Sequence, residues 1–382
     1  MFLYYDLCSC GFENWMRQYR GQYHCIVMEN DLILFILPIF IIFILVEIVY
    51  GVATKRNTYK LNDTISSLSQ GLISQAVAIC TPFFQIGAYA LIFEWIGDTS
   101  PLQFWPHWYG WVIALLIYDF LDYWLHRVSH QCAFFWGAHV VHHQSQFFNL
   151  STALRQESLY PIVGCCFFFP MALLGVPPYQ FAVVSIIILV YQFWIHTEHI
   201  GSLGWFDFVF SSPSNHRVHH AINEEYIDKN FGAILIVWDR LFGTFQHEGA
   251  KCIYGTKTPL HSWSPLKALG ATYSEIFYKS YAVKGFKNKL RTLYKGPGWL
   301  PEGAILVDDP SNAGVNTFYN PPFRRYGHYF AIGIFISSLF FVCFLMYSED
   351  QLSYLQKVAG LIILLLTLYC ASFCMESKQK FY

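Results

Sequence analysis

Four groups of histidines lie close together in the middle of the chain. Ten of its fifteen histidines fall in these groups. The groups are His126-Arg-Val-Ser-His130, His139-Val-Val-His142-His143, His196-Thr-Glu-His199 and His216-Arg-Val-His219-His220. Imidazole is a ligand for iron, zinc, copper and nickel, so this density of histidines indicates a metal site.

The spacing within the groups predicts which histidines share a metal. Residues four apart lie on one face of a helix, so His126 and His130 can bind one ion, as can His139 and His143. Adjacent histidines are rotated by about 100° around a helix, so the pair that ends each HxxHH group can serve two ions. Structural zinc closes its shell with four ligands and favours cysteine mixtures. An iron pair that activates O2 needs many ligands and open positions, so we interpret the groups as a di-iron site.

Apolar segments surround the histidine groups. The chain is 55% hydrophobic and 13% charged, whereas soluble domains are about 25% charged. About 20 apolar residues cross a bilayer as a helix. Seven candidate spans follow: Leu32–Ala53, Gln70–Ile96 (interrupted by Pro82), Trp108–Leu125, Leu159–Val176, Tyr179–Trp194, Tyr329–Tyr347 and Leu355–Cys374. The fourth and fifth flank Pro177 and Pro178, so two full spans and a re-entrant hairpin both stay open.

The lysines and arginines of the loops predict the orientation, because such residues concentrate on the cytosolic side. They fall on one side if the N-terminus is lumenal and the C-terminus cytosolic, and the histidine groups then share that cytosolic side. Lys378 and Lys380 resemble a dilysine signal for the endoplasmic reticulum, with a plain basic tail as the alternative. The predicted divisions are a lumenal segment (1–31), two spans (32–96), a catalytic domain (108–320), C-terminal spans (324–374) and a cytosolic tail (375–382).

Composition excludes several classes of function. The net charge of −1 argues against a nucleic acid partner. The eleven cysteines form no CxxC pair, which argues against a zinc ribbon or redox motif. A divalent-metal transporter whose histidines bind the cargo stays open as an alternative. However, transporters place polar groups inside the spans, whereas these histidines lie just outside them, which favours an enzyme on the membrane surface.

The order HxxxH, HxxHH, HxxHH beside apolar spans resembles the fatty acid hydroxylase and sterol desaturase superfamily. Within it, five further stretches are similar to the alkylglycerol (glyceryl-ether) monooxygenase family, and the resemblance covers roughly residues 60–305. The stretches are Asn149–Gln156, Tyr191–Glu198, Ile227–Gly232, Trp238–Phe245 and Lys295–Trp299. A sterol or fatty acid hydroxylase served by cytochrome b5 is the alternative that the histidine groups alone do not separate.

The resemblance implies an all-α membrane enzyme with a cytosolic helical cap. It implies that two iron ions, O2 and tetrahydrobiopterin hydroxylate the ether-linked carbon of an alkylglycerol or lyso-alkylglycerophospholipid, releasing a fatty aldehyde. The ligands that carry over are His126, His130, His139, His142, His143, His196, His216, His219 and His220. His199 is not carried over, and Gln131 stands where the family often has an acidic residue.

Four carboxylates lie close in sequence to the histidine groups. Asp122 shares a helical face with the first group, and Asp119 lies one turn further back. A metal-bound histidine commonly donates its second N–H to a carboxylate or carbonyl, and we expect both aspartates to accept such bonds. Glu157 and Glu198 are candidates for the same role. Asp228 and Lys229 predict a turn.

Overall fold

The chain folds as an assembly of helices. The computed structural model describes residues 20–96, 102, 104–302 and 318–376, and only the backbone of residues 20–31. Within these ranges the backbone forms helices and two isolated bridges, Phe210 with Leu235 and Ala221 with Tyr254. The predicted all-α fold is confirmed. The outer part of the N-terminal segment and the tail lysines at 378 and 380 lie outside the described residues.

Sixteen α-helices are described. They are α1 Arg20–Ala53, α2 Leu61–Cys80, α3 Ala88–Ile96, α4 Trp108–Gln131, α5 Ala133–His143, α6 Leu150–Ala153, α7 Tyr160–Gly164, α8 Phe169–Leu173, α9 Pro178–Trp194, α10 Phe206–Val209, α11 Pro213–His220, α12 Val237–Leu241, α13 Pro265–Ala282, α14 Phe286–Tyr294, α15 Gly327–Tyr347 and α16 Tyr354–Met375.

Three helices of the described residues are long and apolar enough to cross a membrane. They are Leu32–Ala53 within α1, α15 and α16, of 22, 21 and 22 residues. At 1.5 Å per residue each is about 32 Å long, and the hydrocarbon core of a bilayer is about 30 Å thick. The first and the last two predicted spans are thus confirmed, and the protein is a multi-pass membrane protein.

The predicted second span, Gln70–Ile96, breaks at Pro82 as expected, but it begins earlier than predicted and is bent. Helix α2 already begins at Leu61 and ends at Cys80, and the segment Phe83–Ile96 leaves it at an angle of 76°. Pro82 has no N–H to continue the helical hydrogen bonding, which explains the break at this point. A bent pair of this kind is a broken span or a re-entrant loop.

The predicted third span, Trp108–Leu125, belongs to a longer helix. Helix α4 runs unbroken for 24 residues to Gln131 and carries the first histidine group on its last turns. It is not among the three helices apolar enough to cross a membrane, because Asp119, Asp122 and several Trp and Tyr residues dilute its apolar character. Its second half serves the histidine site.

The fourth and fifth predicted spans form a short hairpin. The apolar helical segments Tyr160–Leu173 and Pro178–Trp194 are shorter than the three spans. At 1.5 Å per residue they reach about 21 and 25 Å, less than the thickness of the bilayer core. Gly175 at the turn has a φ of 83°, which favours glycine. These lengths favour the re-entrant hairpin over two full spans.

A buried carboxylate ties the first span to the histidine region. Glu47 on α1 is 7% exposed. It accepts hydrogen bonds from the hydroxyls of Tyr59 and Thr197 and from the backbone N–H of Leu150. Thr197 follows His196 directly, so α1 is anchored to one of the histidine groups. The role of Glu47 is not evident from the sequence, because a lone carboxylate in a span does not indicate its partners.

We expect Glu47→Ala to destabilise the protein. Three buried donors then lose their acceptor, and each unsatisfied group costs about 1–3 kcal/mol. Thermal unfolding in detergent should therefore occur at a clearly lower temperature than for wild type. The control is Val46→Ala, an adjacent and exposed position on α1. Equal unfolding temperatures for the two variants would contradict the anchoring role of Glu47.

Candidate metal centre

Nine histidines from four segments of the chain converge in two groups. In each group the imidazole nitrogens lie within 4.8 Å of one another. The group of five is His126, His130, His139, His143 and His219, and the group of four is His142, His196, His216 and His220. All nine histidines expected as ligands are brought together.

Helix geometry distributes the histidines between the two groups as their spacing predicts. His142 and His143 are neighbours in sequence but belong to different groups, and so do His219 and His220. His199 lies outside both groups and meets Tyr50 edge-on at 5.1 Å. In each HxxHH motif, the first and third histidines therefore belong to one group and the middle histidine belongs to the other.

Several Nε2 atoms of these imidazoles face one another rather than other protein groups. Nε2 of His139 lies 3.0 Å from Nε2 of His143, and Nε2 of His196 lies 3.0 Å from that of His216. The Nε2 atoms of His126, His130 and His219 are buried without a hydrogen-bond partner among the described residues. Converging lone pairs and unpartnered buried nitrogens fit metal ligation.

Burial keeps these imidazoles neutral. It lowers the pKa of His139 to about 3 and the pKa of His142 to about 4, because transfer out of water penalises the charged ring. A neutral imidazole has a free lone pair, and this is the form that binds a metal.

Backbone carbonyls orient four of the rings through their second nitrogen. His126 Nδ1 donates to the carbonyl of Phe231 at 2.8 Å, and His219 Nδ1 donates to that of Lys229 at 3.0 Å. His142 and His196 donate in the same way to the carbonyls of residues 155 and 192. With Nδ1 fixed as the donor, Nε2 presents its lone pair to the centre of each group.

Carboxylates orient two further rings. Glu157 Oε1 lies 2.7 Å from His139 Nδ1, which confirms the expected carboxylate–histidine pair. Asp228 Oδ1 lies 3.5 Å from His130 Nδ1. Asp228 also has a φ of 56°, in keeping with the predicted turn. This aspartate was expected only to form the turn, and its position beside a histidine is new.

The expected roles of three other carboxylates are wrong. Asp119 accepts hydrogen bonds from the backbone N–H groups of Ile234 and Leu235 and from the indole of Trp238. Asp122 accepts one from Gln192 at 3.3 Å. The first carboxylate fixes a loop and the second a neighbouring helix, and neither has a described bond to a histidine. Glu198 lies in a cleft beside Tyr254, away from the two groups.

The loop 228–232 supplies ring partners from residues 228, 229 and 231, and a buried carboxylate fixes it. Asp239 accepts the backbone N–H groups of Phe231 and Gly232 at 2.8 and 2.7 Å. A Cβ at Gly232 would lie 2.4 Å from the carbonyl oxygen of Leu235, so only glycine fits. The sequence of this stretch resembles the family but does not by itself indicate this role.

Two buried arginines brace the segments that carry the histidines, and no sequence motif predicts this role. Arg217 pairs with Glu248 at 2.7 Å and donates to the carbonyl of Thr197 at 2.9 Å. It thus joins the segment after His196 to the helix of the last histidine group. Arg155 donates to the carbonyl of Val141 and to Ser66 of α2. Several of their partners, such as Ser66 and Glu248, are distant in sequence, so no local motif encodes these contacts.

Two cavities reach the histidines from different sides. The first, of about 250 Å³, touches His126, His139, His142, His196 and His216 and is bordered by α4 and α9. We call it the lipid-side cavity. The second, of about 530 Å³, touches His130, His143, His219 and His220 and is bordered by α13 and the segment Gly296–Trp299. We call it the cap cavity. The two cavities share no lining residue.

The arrangement agrees with comparisons to known proteins. Residues 111–244 match the family model described as fatty acid hydroxylase. No solved structure matches. An alkylglycerol monooxygenase of Danio rerio is 36% identical over 347 residues, which are 90% of this chain and 77% of the relative. The relative from Homo sapiens is 38% identical over 69% of this chain and 59% of its own length. The relative from Xenopus tropicalis is 32% identical over 89% and 76%.

This chain belongs to the alkylglycerol monooxygenase family. It is therefore a membrane monooxygenase of the fatty acid hydroxylase superfamily, and its substrate is a lipid. The matched family region begins on α4 and ends at Thr244, so it contains all nine clustered histidines. Gln131 is exposed at the end of α4 and lines the cap cavity.

We expect His143→Ala and His220→Ala to abolish monooxygenase activity, because each removes one nitrogen from a different group of the centre. Membrane insertion should be unchanged, since both positions lie outside the apolar spans. The matched control is His199→Ala, which removes a nearby histidine outside both groups and should retain activity. Wild-type turnover by either cluster variant in a purified-enzyme assay would remove the histidine groups from the catalytic account.

Proposed function

We propose that this enzyme hydroxylates the ether-linked carbon of alkylglycerols with O2 and tetrahydrobiopterin, at an iron pair held by the nine histidines. The observation that carries the proposal is the lipid-side cavity. It places apolar side chains of α1 and α9 directly against imidazoles of both groups.

The donor set fits two iron ions. One ion would take nitrogens from the group of five and the other from the group of four. Neutral imidazole suits ferrous iron, and cysteine ligands are missing from both groups, unlike the mixed shells of many structural zinc sites. An iron pair supplies activation of O2 and the oxidant for a C–H bond. The fold supplies ligand orientation through carbonyls and carboxylates.

The lipid-side cavity suits an amphiphile with one long chain. Its apolar wall includes Phe40, Ile188, Leu189 and Phe193. A further cavity of about 160 Å³ shares five lining residues with it and extends it away from the histidines, between the aromatic rings of α4, α9 and the α7–α8 segment. Ligand sites are mostly apolar with a few placed polar groups. We assign the alkyl chain to this apolar extension.

Polar side chains in the same cavity suit the glycerol end of the substrate. Gln156, Gln192 and Asp122 line it close to the histidines. Their amide and carboxylate groups can pair with glycerol hydroxyls, which would otherwise lose their water contacts without compensation. With the chain and the head group both held, the ether-linked carbon between them lies against the imidazoles.

The reaction balances as a two-electron monooxygenation. One oxygen atom of O2 enters the C–H bond beside the ether oxygen, and the other leaves as water with two protons and two electrons. The electrons are assigned to tetrahydrobiopterin. The C–H bond next to an ether oxygen is weaker than one in the middle of the chain, which favours this position. The resulting hemiacetal breaks its C–O bond, giving a fatty aldehyde and the free glycerol hydroxyl.

We further propose that the enzyme lies in the endoplasmic reticulum membrane with the histidine site facing the cytosol. Lys55 and Arg56 follow the first span, and Arg324 and Arg325 precede α15. Basic residues concentrate on the cytosolic side of a membrane, and a single orientation puts both pairs there. Lys378 and Lys380 resemble a retrieval signal that is recognised on cytosolic tails.

We expect a tag after Tyr382 and a tag inserted between Lys284 and Gly285 to be digested by protease added to intact microsomes. Both residues of the insertion site are exposed, in the turn between α13 and α14. A tag at the N-terminus should be protected until detergent is added. A protected C-terminal tag would mean that the number of crossings is wrong by one.

Electron supply separates the two closest candidate functions. We expect purified protein to release fatty aldehyde from an alkylglycerol with O2 and tetrahydrobiopterin, and to need neither cytochrome b5 nor its reductase. Heat-treated protein, and the reaction without O2, serve as controls. Turnover with the cytochrome system and none with the pterin would reject this function and favour a sterol or fatty acid hydroxylase.

A further inference from the structure

The cap cavity reaches the metal centre without using any part of the lipid-side cavity. It touches three histidines of the group of five and one of the group of four. Its volume of about 530 Å³ falls within the range of about 300–1,000 Å³ that is usual for small-molecule sites. A second small molecule can therefore contact the centre while a lipid occupies the first cavity.

The lining of the cap cavity combines indole rings, carboxylates and glycines. Trp136 lies against the histidines, with its ring centre 5.0 Å from that of His130 and 5.6 Å from that of His143. Trp299 borders the same cavity, together with Gly296 and Gly298. Indole rings and backbone without side chains are suited to the face of a flat heterocycle, since aromatic rings prefer offset or edge contacts with other rings.

Two carboxylates line the cap cavity, and their surroundings differ. Asp228 lies 3.5 Å from Nδ1 of His130, so it serves as the partner of a ring in the metal centre. Glu275 lies further out on α13, and its Oε1 pairs with Lys279 at 2.6 Å. The ammonium group of Lys279 also donates to the carbonyl of Pro297, which fixes the opposite wall. Glu275 is thus held at the cavity by its ion pair with Lys279.

We propose that the cap cavity is the binding site of the reduced pterin, with Glu275 pairing with its amino-amide edge and Trp299 packing on its ring. This inference rests on the proposed pterin dependence of the enzyme. Adjacent N–H groups on one planar edge match the two oxygens of a carboxylate, as in arginine–carboxylate pairs. Anchored at Glu275, the pterin extends toward Trp136 and His130. Electrons then reach the centre through the cap cavity, and the lipid reaches it through the lipid-side cavity.

The test measures binding separately from turnover. Oxidised biopterin, which has no electrons to donate, is titrated against purified full-length protein, and its fluorescence reports the bound fraction. Glu275→Gln should weaken binding about tenfold or more, because a charge-assisted hydrogen-bonded pair is lost. Trp299→Leu should weaken it as well, without any change of charge. The control, Glu225→Gln, changes an exposed carboxylate that does not line the cap cavity.

Turnover and metal content then separate this inference from the proposed function. Glu275→Gln should raise the KM for tetrahydrobiopterin and leave the KM for the alkylglycerol, the iron content and the unfolding temperature at wild-type values. If wild type depends on the pterin but neither cavity variant changes its binding, the cap cavity is the wrong site although the function stands. If wild type neither binds biopterin nor needs tetrahydrobiopterin, both the function and the site are overturned.

Discussion

The structure depends on the burial of nine neutral imidazoles whose nitrogens face one another. Histidine rings withdrawn from water lose hydrogen bonds, and lone pairs about 3 Å apart gain nothing from each other without a shared proton or a cation. Ligation of a metal pair removes this conflict. Carbonyls and carboxylates of the surrounding fold lie against the second nitrogen of six of these rings, so that the first nitrogen points inward.

Most of the supporting structure serves this orientation. The loop 228–232 bonds two rings through its carbonyls and approaches a third with Asp228, while Asp119 and Asp239 fix that loop and its flanks. Glu47 and Arg217 join the segment after His196 to the first span and to α11. The membrane helices therefore do more than anchor the enzyme, because they brace the site and form the wall of the lipid-side cavity.

The sequence predicted the histidine clusters because helical spacing is local. His142 and His143 diverge by geometry alone, and the carboxylate–histidine pair of Glu157 followed from a general preference of metal sites. It predicted the uninterrupted spans for the same reason. It misjudged Asp119 and Asp122, since their position on the helix of His126 did not reveal that a loop and a second helix compete for their oxygens. Glu47 and Arg155 were missed because their partners are distant in sequence. Pro82 indicated a break after Cys80, but the angle of the bend depends on packing and could not be predicted from the proline alone.

The metal pair is the central claim, and the most direct test is the iron content of the purified enzyme together with its Mössbauer spectrum after growth on enriched iron. The account predicts two irons per chain in nitrogen-rich environments, coupled to each other in the oxidised state, and loss of iron in His143→Ala and His220→Ala but not in His199→Ala. A single iron, an exchangeable metal or a full complement of zinc in active enzyme would contradict it.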